Sequence, residues 1–159
     1  MAKELNFEPK CIPVGMSCGG LQALRLAQLH PELISVMYID APVVNILSMA
    51  GLGASTCDLN STFWKEIQAA HGVDRSSIVN FRKSPIDAMD KLIENNIPII
   101  MLYGDADEVV LYAENGKVLE DYYRENGGDM KVICKPGCGH HPHSLEDPTP
   151  IMEFVEAHL

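Results

Sequence analysis

The sequence predicts an α/β fold in which a parallel sheet of about four strands is flanked by helices. Short apolar runs alternate along the chain with longer segments of helical periodicity, as βαβ units require. Each apolar run also closes in a turn rich in Gly, Asp or Pro, which is typical of strands in a buried parallel sheet. A chain of 159 residues, 47% of them hydrophobic, is long enough for one core, and we expect residues 1–159 to form a single domain.

Four continuous apolar runs mark the predicted strands. Strands of a parallel sheet show continuous rather than alternating apolar character, because helices cover both of their faces. By this criterion the strands are expected at Cys11 to Val14, Ser35 to Asp40, Ile97 to Tyr103 and Met130 to Lys135.

Helices are predicted between and after these strands. The first follows Gly19, carries four leucines on or near one stripe, and ends at His30-Pro31. A second begins at Ser84-Pro85, where a capping serine precedes a proline at the first helical position. A third is expected over Tyr112 to Glu125, and a last helix opens near Thr149-Pro150.

The segment from Ala41 to Lys83 departs from this alternation. It begins apolar and Gly-rich, and then contains a predicted helix over Thr62 to Ala70 with the single tryptophan, Trp64. We interpret residues 41–83 as a cap-like excursion over the carboxyl edge of the sheet, which is where α/β folds bind ligands.

Composition excludes several classes of partner. The formal net charge of -10 has the wrong sign for binding nucleic acid or an anionic membrane surface. The longest uncharged stretch, Ala41 to Cys57, is short and interrupted by Pro and Gly, so no membrane span is predicted. Five cysteines without framework spacing favour free thiols and a reducing, cytoplasmic location. We predict no cofactor and no metal.

A nucleophile is predicted at the turn between the first strand and the first helix. The segment Gly15-Met16-Ser17-Cys18-Gly19 matches G-x-S-x-G, and an apolar strand precedes it while a helix follows. Small flanking residues allow a sharp turn that projects the hydroxyl of Ser17 from the top of the sheet. The alternative is a tight glycine turn with a capping serine.

Two later loops offer the acid and the base that a serine nucleophile needs. The loop after the third strand contains Asp105 and Asp107, and the loop after the fourth contains His140. Asp40, after the second strand, is a third candidate acid. The neighbouring His141 and His143 are expected to be a loop anchor and a surface residue. We favour Ser17, Asp107 and His140, which follow one another in the order Ser, Asp, His at the ends of three strands.

These segments resemble the α/β-hydrolase superfamily, and within it prolyl-oligopeptidase-like and esterase-like serine hydrolases. The likeness rests on Gly-Met-Ser-Cys-Gly-Gly-Leu, Leu-Tyr-Gly-Asp-Ala-Asp-Glu-Val-Val and Pro-Gly-Cys-Gly-His-His-Pro-His-Ser-Leu. It implies that Ser17 is the nucleophile, Asp107 the acid and His140 the base, and that the backbone N–H of Cys18 forms half of an oxyanion hole.

The position of the turn that carries Ser17 differs from its position in this family, whose members place several strands before the turn. The chain is therefore expected to form the second half of the fold, a truncated or minimal α/β-hydrolase. The resemblance implies a carboxylesterase acting on small, carbohydrate-linked esters. Because the first strand, Cys11 to Val14, would be an apolar edge, we expect a homo-oligomer that associates near residues 1 to 14 and the first helix.

Two other functions remain open on the sequence alone. One is a catalytically weak or inactive half-domain that self-associates. The other is a zinc-binding module, since the loop after the fourth strand has the pattern C-x3-C-x-H-H-x-H. Its candidate ligands are Cys134, Cys138, His140, His141 and His143.

Overall fold

A four-stranded parallel sheet forms the centre of the computed structural model, which describes residues 9–54 and 62–159. The strands lie side by side in chain order, and each pairs in parallel with the next. They are β1 Val14–Met16, β2 Met37–Asp40, β3 Ile99–Gly104 and β4 Met130–Lys135. The predicted fold class is therefore confirmed.

The first strand begins later than predicted. Cys11 forms only an isolated bridge with Ile34, and regular pairing starts where Val14 lies opposite Tyr38. The reason is Pro13, whose carbonyl accepts the N–H of Tyr38 at 3.0 Å but whose own nitrogen has no hydrogen to donate. The regular hydrogen-bond ladder between β1 and β2 therefore begins after Pro13.

Helices and helical turns connect the strands and follow the last one. The helices are α1 Cys18–Leu29, α2 Thr62–His71, α3 Asp90–Glu94, α4 Gly116–Glu125 and α5 Thr149–Glu156, with 3₁₀ turns at Pro31–Leu33, Ile78–Asn80, Pro85–Ala88 and Tyr112–Glu114 and a π-turn at Ser48–Leu52. Within residues 9–54 and 62–159, no helix combines the length and the apolar character needed to cross a bilayer.

The third predicted helix is interrupted at Asn115. This residue has φ -130° and ψ -90°, which separates the 3₁₀ turn Tyr112–Glu114 from α4. Its buried side-chain oxygen accepts the N–H groups of Val44 and Asn45, both at 3.0 Å. Because buried N–H groups require acceptors, these two long-range bonds determine the local backbone in place of helix propensity.

The sheet lies between two layers of helices. In β3, Ile99 and Met101 pack with residues of α1, α3 and α4, whereas Ile100 and Leu102 pack on the opposite face with residues of α5. All four side chains are fully buried. This alternation explains why the sequence of β3 is apolar throughout, and it fixes the strand ends that carry the candidate site.

Part of the predicted cap-like excursion forms its own apolar cluster. Trp64 and Ile67 of α2 pack against residues before and after that helix, including Ile46 and Phe81. Residues 55–61 of the excursion lie outside the described residues. The interpretation of residues 41–83 as a cap stays a prediction.

The outer edge of β1 has no pairing strand among the described residues. Val14 on this edge is 56% exposed, and nearby apolar side chains of α1 and of the segment before β2 are also exposed, including Leu29 and Leu33. Unpaired strand edges with apolar side chains are templates for association. The predicted self-association near β1 and α1 therefore has a physical basis, although it stays a prediction.

Light scattering coupled to size-exclusion chromatography tests this expectation. At micromolar concentration the wild-type chain should elute as a dimer or larger assembly, and Val14→Lys should shift it towards the monomer, because a charge on an edge strand opposes pairing. Lys91→Glu, at an exposed position of α3, is the control and should not change the mass. A monodisperse wild-type monomer would contradict the prediction.

Candidate active site

Ser17 occupies a strained turn between β1 and α1. Its backbone has φ 53° and ψ -122°, a conformation that non-glycine residues adopt at a cost of about 1–3 kcal/mol and that is concentrated at functional sites. The turn is held by its own backbone: the N–H of Ser17 donates to the carbonyl of Asp40, and its carbonyl accepts from Gly20 and Val43. These three hydrogen bonds hold the turn in its strained conformation.

Two glycines allow this turn because other backbone passes close to them. A Cβ at Gly15 would collide with the carbonyl of Gly19, and a Cβ at Gly20 would collide with Pro42. By contrast, a Cβ at Gly19 would meet nothing. The G-x-S-x-G pattern thus includes one glycine that sterics require, and it misses Gly20, which lies one residue beyond the pattern.

His140 lies between Ser17 and Asp107 and contacts both. Its Nε2 is 3.1 Å from the hydroxyl oxygen of Ser17, and its Nδ1 is 2.8 Å from Oδ2 of Asp107. Because an ionised carboxylate only accepts, Nδ1 carries the proton and Nε2 is left to accept the serine O–H. The side chains of His140 and Asp107 are 11% and 2% exposed, so water competes little for these bonds.

Asp107 is oriented by the loop that carries it. Its Oδ1 accepts the backbone N–H groups of Val109 and Val110 at 2.8 and 3.0 Å, while Oδ2 faces His140. Each oxygen of this buried carboxylate therefore has partners, which satisfies the requirement for burying a charge. The two backbone bonds to Oδ1 therefore hold the carboxylate so that Oδ2 can accept a hydrogen bond from Nδ1 of His140.

The two other candidate acids have different partners. Oδ1 of Asp105 accepts the N–H of Gly137 at 2.6 Å and so ties the loop after β3 to the loop after β4. Asp40 is fully buried and forms an ion pair with Lys135, with distances of 2.9 and 3.0 Å from Nζ to its two oxygens. Of the three candidate acids, Asp107 is the one within hydrogen-bond distance of His140.

The ion pair between Asp40 and Lys135 anchors the loop that carries His140. Lys135 also donates to the carbonyl of Pro142 at 3.0 Å, and Oδ2 of Asp40 accepts the N–H of Ser144 at 2.6 Å. This role of Lys135 was not predicted from the sequence. A lysine at the end of β4 and an aspartate at the end of β2 were the only signal, and nothing local shows that they face each other.

The neighbouring histidines have the reverse of their predicted environments. His141 is exposed, whereas His143 is largely buried beside Asp40, with 3.8 Å between Nδ1 and Oδ2. Burial lowers the pKa of the His143 imidazole below its ordinary value, and the Asp40 carboxylate opposes that shift. His140, His141 and His143 bring their ring nitrogens together, but Cys134 and Cys138 do not belong to this group. The five-ligand cluster suggested by the sequence is thus not assembled.

Cys18 is the first residue of α1 and follows Ser17 directly. The first N–H groups of a helix have no acceptor within the helix and carry partial positive charge. The side chain of Cys18 packs against the buried cluster of Val43, Met49 and Val110. The apolar run after β2 therefore contributes to the core next to the candidate site.

A strand–turn–helix elbow with a serine at its tip, together with an acid and a base in the loops after two later strands, defines the α/β-hydrolase class of fold. Residues 5–159 match the family model described as the prolyl oligopeptidase family, Peptidase_S9. The chain belongs to this family of serine-type hydrolases.

Solved structures share the fold at low sequence identity. The chain is similar to a puromycin hydrolase (18% identity, TM-score 0.71, 98% of this chain and 22% of that chain). It is also similar to the acylaminoacyl peptidase of Pyrococcus horikoshii (16% identity, TM-score 0.72, 99% of this chain and 25% of that chain). A third similar structure is a truncated form of a carbohydrate esterase from gut microbiota (19% identity, TM-score 0.71, 99% of this chain and 62% of that chain).

The chain thus spans about a quarter of the length of the puromycin hydrolase and of the acylaminoacyl peptidase, and less than two thirds of the length of the esterase. Among curated proteins, none matches the chain significantly.

Proposed function

We propose that this chain is a carboxylesterase that cleaves small esters through an acyl-enzyme formed on Ser17. The observation that carries the proposal is the hydrogen-bonded series from Ser17 through His140 to Asp107, with distances of 3.1 and 2.8 Å. A nucleophile in contact with a base, itself oriented by an acid, is the arrangement that activates a serine hydroxyl.

The reaction follows from these contacts. The hydroxyl oxygen of Ser17 attacks the ester carbonyl carbon while Nε2 of His140 takes its proton. Asp107 holds the Nδ1–H and stabilises the imidazolium that forms. His140 then gives the proton to the departing alcohol, which leaves the acyl group on Ser17. Nε2 of His140 then takes a proton from water, whose oxygen attacks the acyl carbon. The bond between the acyl carbon and the Ser17 oxygen breaks, His140 returns the proton to that oxygen, and the carboxylic acid leaves.

The backbone N–H of Cys18 is the proposed oxyanion donor. It lies at the amino-terminal end of α1, one residue after Ser17, where partial positive charge favours a developing negative oxygen. One oxyanion donor is commonly worth about 10² to 10³ in turnover. Because we assign a single donor, substrates with good leaving groups should react best.

The sugar-linked ester is the substrate class we favour. The structural similarity to a carbohydrate esterase, which covers most of this chain, supports it. A peptidase is the second candidate. The chain belongs to the prolyl oligopeptidase family and is similar in fold to an acylaminoacyl peptidase, and both names point to amide cleavage. The two candidates share the nucleophile and differ in the bond cleaved.

A fluorophosphonate probe tests the common part of both candidates. Wild-type protein should be labelled covalently at one site, and Ser17→Ala should abolish the labelling. Ser76→Ala, which changes an exposed serine outside the site, is the matched control and should be labelled like wild type. Unlabelled wild type, or labelled Ser17→Ala, would refute a nucleophilic role for Ser17.

Paired chromogenic substrates separate the esterase from the peptidase. We expect the rate of hydrolysis of 4-nitrophenyl acetate to exceed that of the matching amide, 4-nitroacetanilide, by a factor of about 10² or more. The amide has the poorer leaving group and therefore needs a better stabilised oxyanion. Both rates are measured with one enzyme preparation, and Ser17→Ala gives the background. Equal rates for ester and amide would contradict the carboxylesterase assignment and favour the peptidase.

A further inference from the structure

Three imidazoles meet in the loop after β4. One ring nitrogen from each of His140, His141 and His143 lies within 4.8 Å of the others. Their rings contact edge to face, with centroid separations of 4.7 to 5.2 Å. The reaction proposed above uses only His140, so the other two imidazoles have no part in it. Clustered imidazole nitrogens are the ligands that zinc, nickel and copper ions bind well.

A carboxylate lies beside Nδ1 of two of the three clustered histidines. Nδ1 of His140 is bonded to Asp107, and Nδ1 of His143 faces Asp40 at 3.8 Å, buried and without a hydrogen-bond partner. Metal-ligating histidines commonly direct their second ring nitrogen to a carboxylate in this way. Nε2 is therefore the available ligand atom of both histidines.

The spacing of the cluster is close to that of a metal centre. Nitrogens bound at about 2.1 Å to one tetrahedral zinc ion lie roughly 3.4 Å apart. With separations of at most 4.8 Å, small rotations of the side chains close the difference. His141 is exposed, which gives an ion a path from solvent, and three protein ligands leave the fourth position to water.

We propose that His140, His141 and His143 form an inhibitory binding site for a divalent transition-metal ion such as Zn²⁺. When the ion binds Nε2 of His140, that nitrogen no longer contacts the hydroxyl of Ser17 and cannot accept its proton. The inhibitory effect rests on the proposed function, whereas the binding site itself does not.

Calorimetric titration with ZnCl₂ tests the site without reference to activity. Protein isolated without a metal-affinity tag should bind one ion through the cluster, and the inactive Ser17→Ala should bind it at least as tightly. His141→Ala should weaken binding about tenfold or more, and this exposed position should tolerate the change. His30→Ala, a half-exposed histidine at the end of α1, is the matched control. Equal affinity in the His141 and His30 variants would overturn the site.

Inhibition is measured with the 4-nitrophenyl ester. Zn²⁺ should abolish hydrolysis at concentrations that saturate the cluster, EDTA should restore it, and His141→Ala should raise the inhibiting concentration by the same factor as its dissociation constant. Full activity at saturating Zn²⁺ would overturn the inhibitory role. If instead no hydrolysis occurs even with EDTA, the proposed function fails, and the titration still decides whether the metal site exists.

Discussion

Ser17→Ala should lower kcat for the activated ester by about 10⁴ to 10⁶, because no other group takes the place of the attacking oxygen. His140→Ala should cost about as much, since its Nε2, 3.1 Å from that oxygen, is the proposed proton acceptor. The double variant should be no worse than either single one, as expected of residues that act as a unit. Initial rates are measured with circular dichroism as the check on folding.

The acid is tested by a pair of conservative substitutions. Asp107→Asn should reduce kcat by about 10⁴, because an amide can donate to Nδ1 and so favour the wrong tautomer of His140. Asp105→Asn is the matched control, since its amide oxygen can still accept the N–H of Gly137. Losses of similar size in the two variants would contradict the assignment of Asp107. Additive losses in Ser17→Ala/His140→Ala would likewise contradict a shared proton relay.

Lys135→Met should lower the free energy of unfolding by about 3–5 kcal/mol, because it leaves the carboxylate of Asp40 buried without its counter-charge. Asp40 is completely buried and the Lys135 side chain only 10% exposed, so neither charge can recover full hydration alone. Urea denaturation followed by circular dichroism measures the loss. The double variant Asp40→Asn/Lys135→Met should recover part of it, because no unpaired charge is then buried.

Lys131→Met is the matched control for this ion pair. Lys131 lies on the same strand, and its hydrogen bond among the described residues is a 3.4 Å contact with the carbonyl of Pro150, so its loss should be below about 1 kcal/mol. Equal destabilisation by the two lysine substitutions would refute the role of the ion pair. Because Lys135 also holds the carbonyl of Pro142, the folded Lys135→Met protein should in addition have a reduced kcat.

The layered α/β fold and the region of the candidate site could be predicted from residue patterns alone. Continuous apolar runs separated by helical stretches predict a buried parallel sheet, since period and burial follow directly from residue type. The G-x-S-x-G segment, placed between a strand and a helix, located the strained turn at Ser17 for the same reason: its requirements are local. The order of serine, aspartate and histidine then placed three loops at one edge of the sheet.

Which side chains contact one another could not be predicted in the same way, because it depends on how the loops are folded. Asp40, Asp105 and Asp107 all follow strands, and their separation into a buried counter-ion, a loop tie and the partner of His140 depends on loop conformation within a few ångströms. Lys135 reaches Asp40 across 95 residues of chain, a distance at which no sequence period operates.

The same limit applies to backbone details. Asn115 interrupts a predicted helix because its side chain serves two N–H groups about 70 residues earlier, and His141 and His143 exchange their expected exposures because Asp40 lies beneath one of them. Local propensities amount to a few tenths of a kcal/mol per residue, whereas a buried unsatisfied polar group costs about 1–3 kcal/mol. Long-range polar partners therefore override local preferences wherever the two conflict, and those partners are set by the fold.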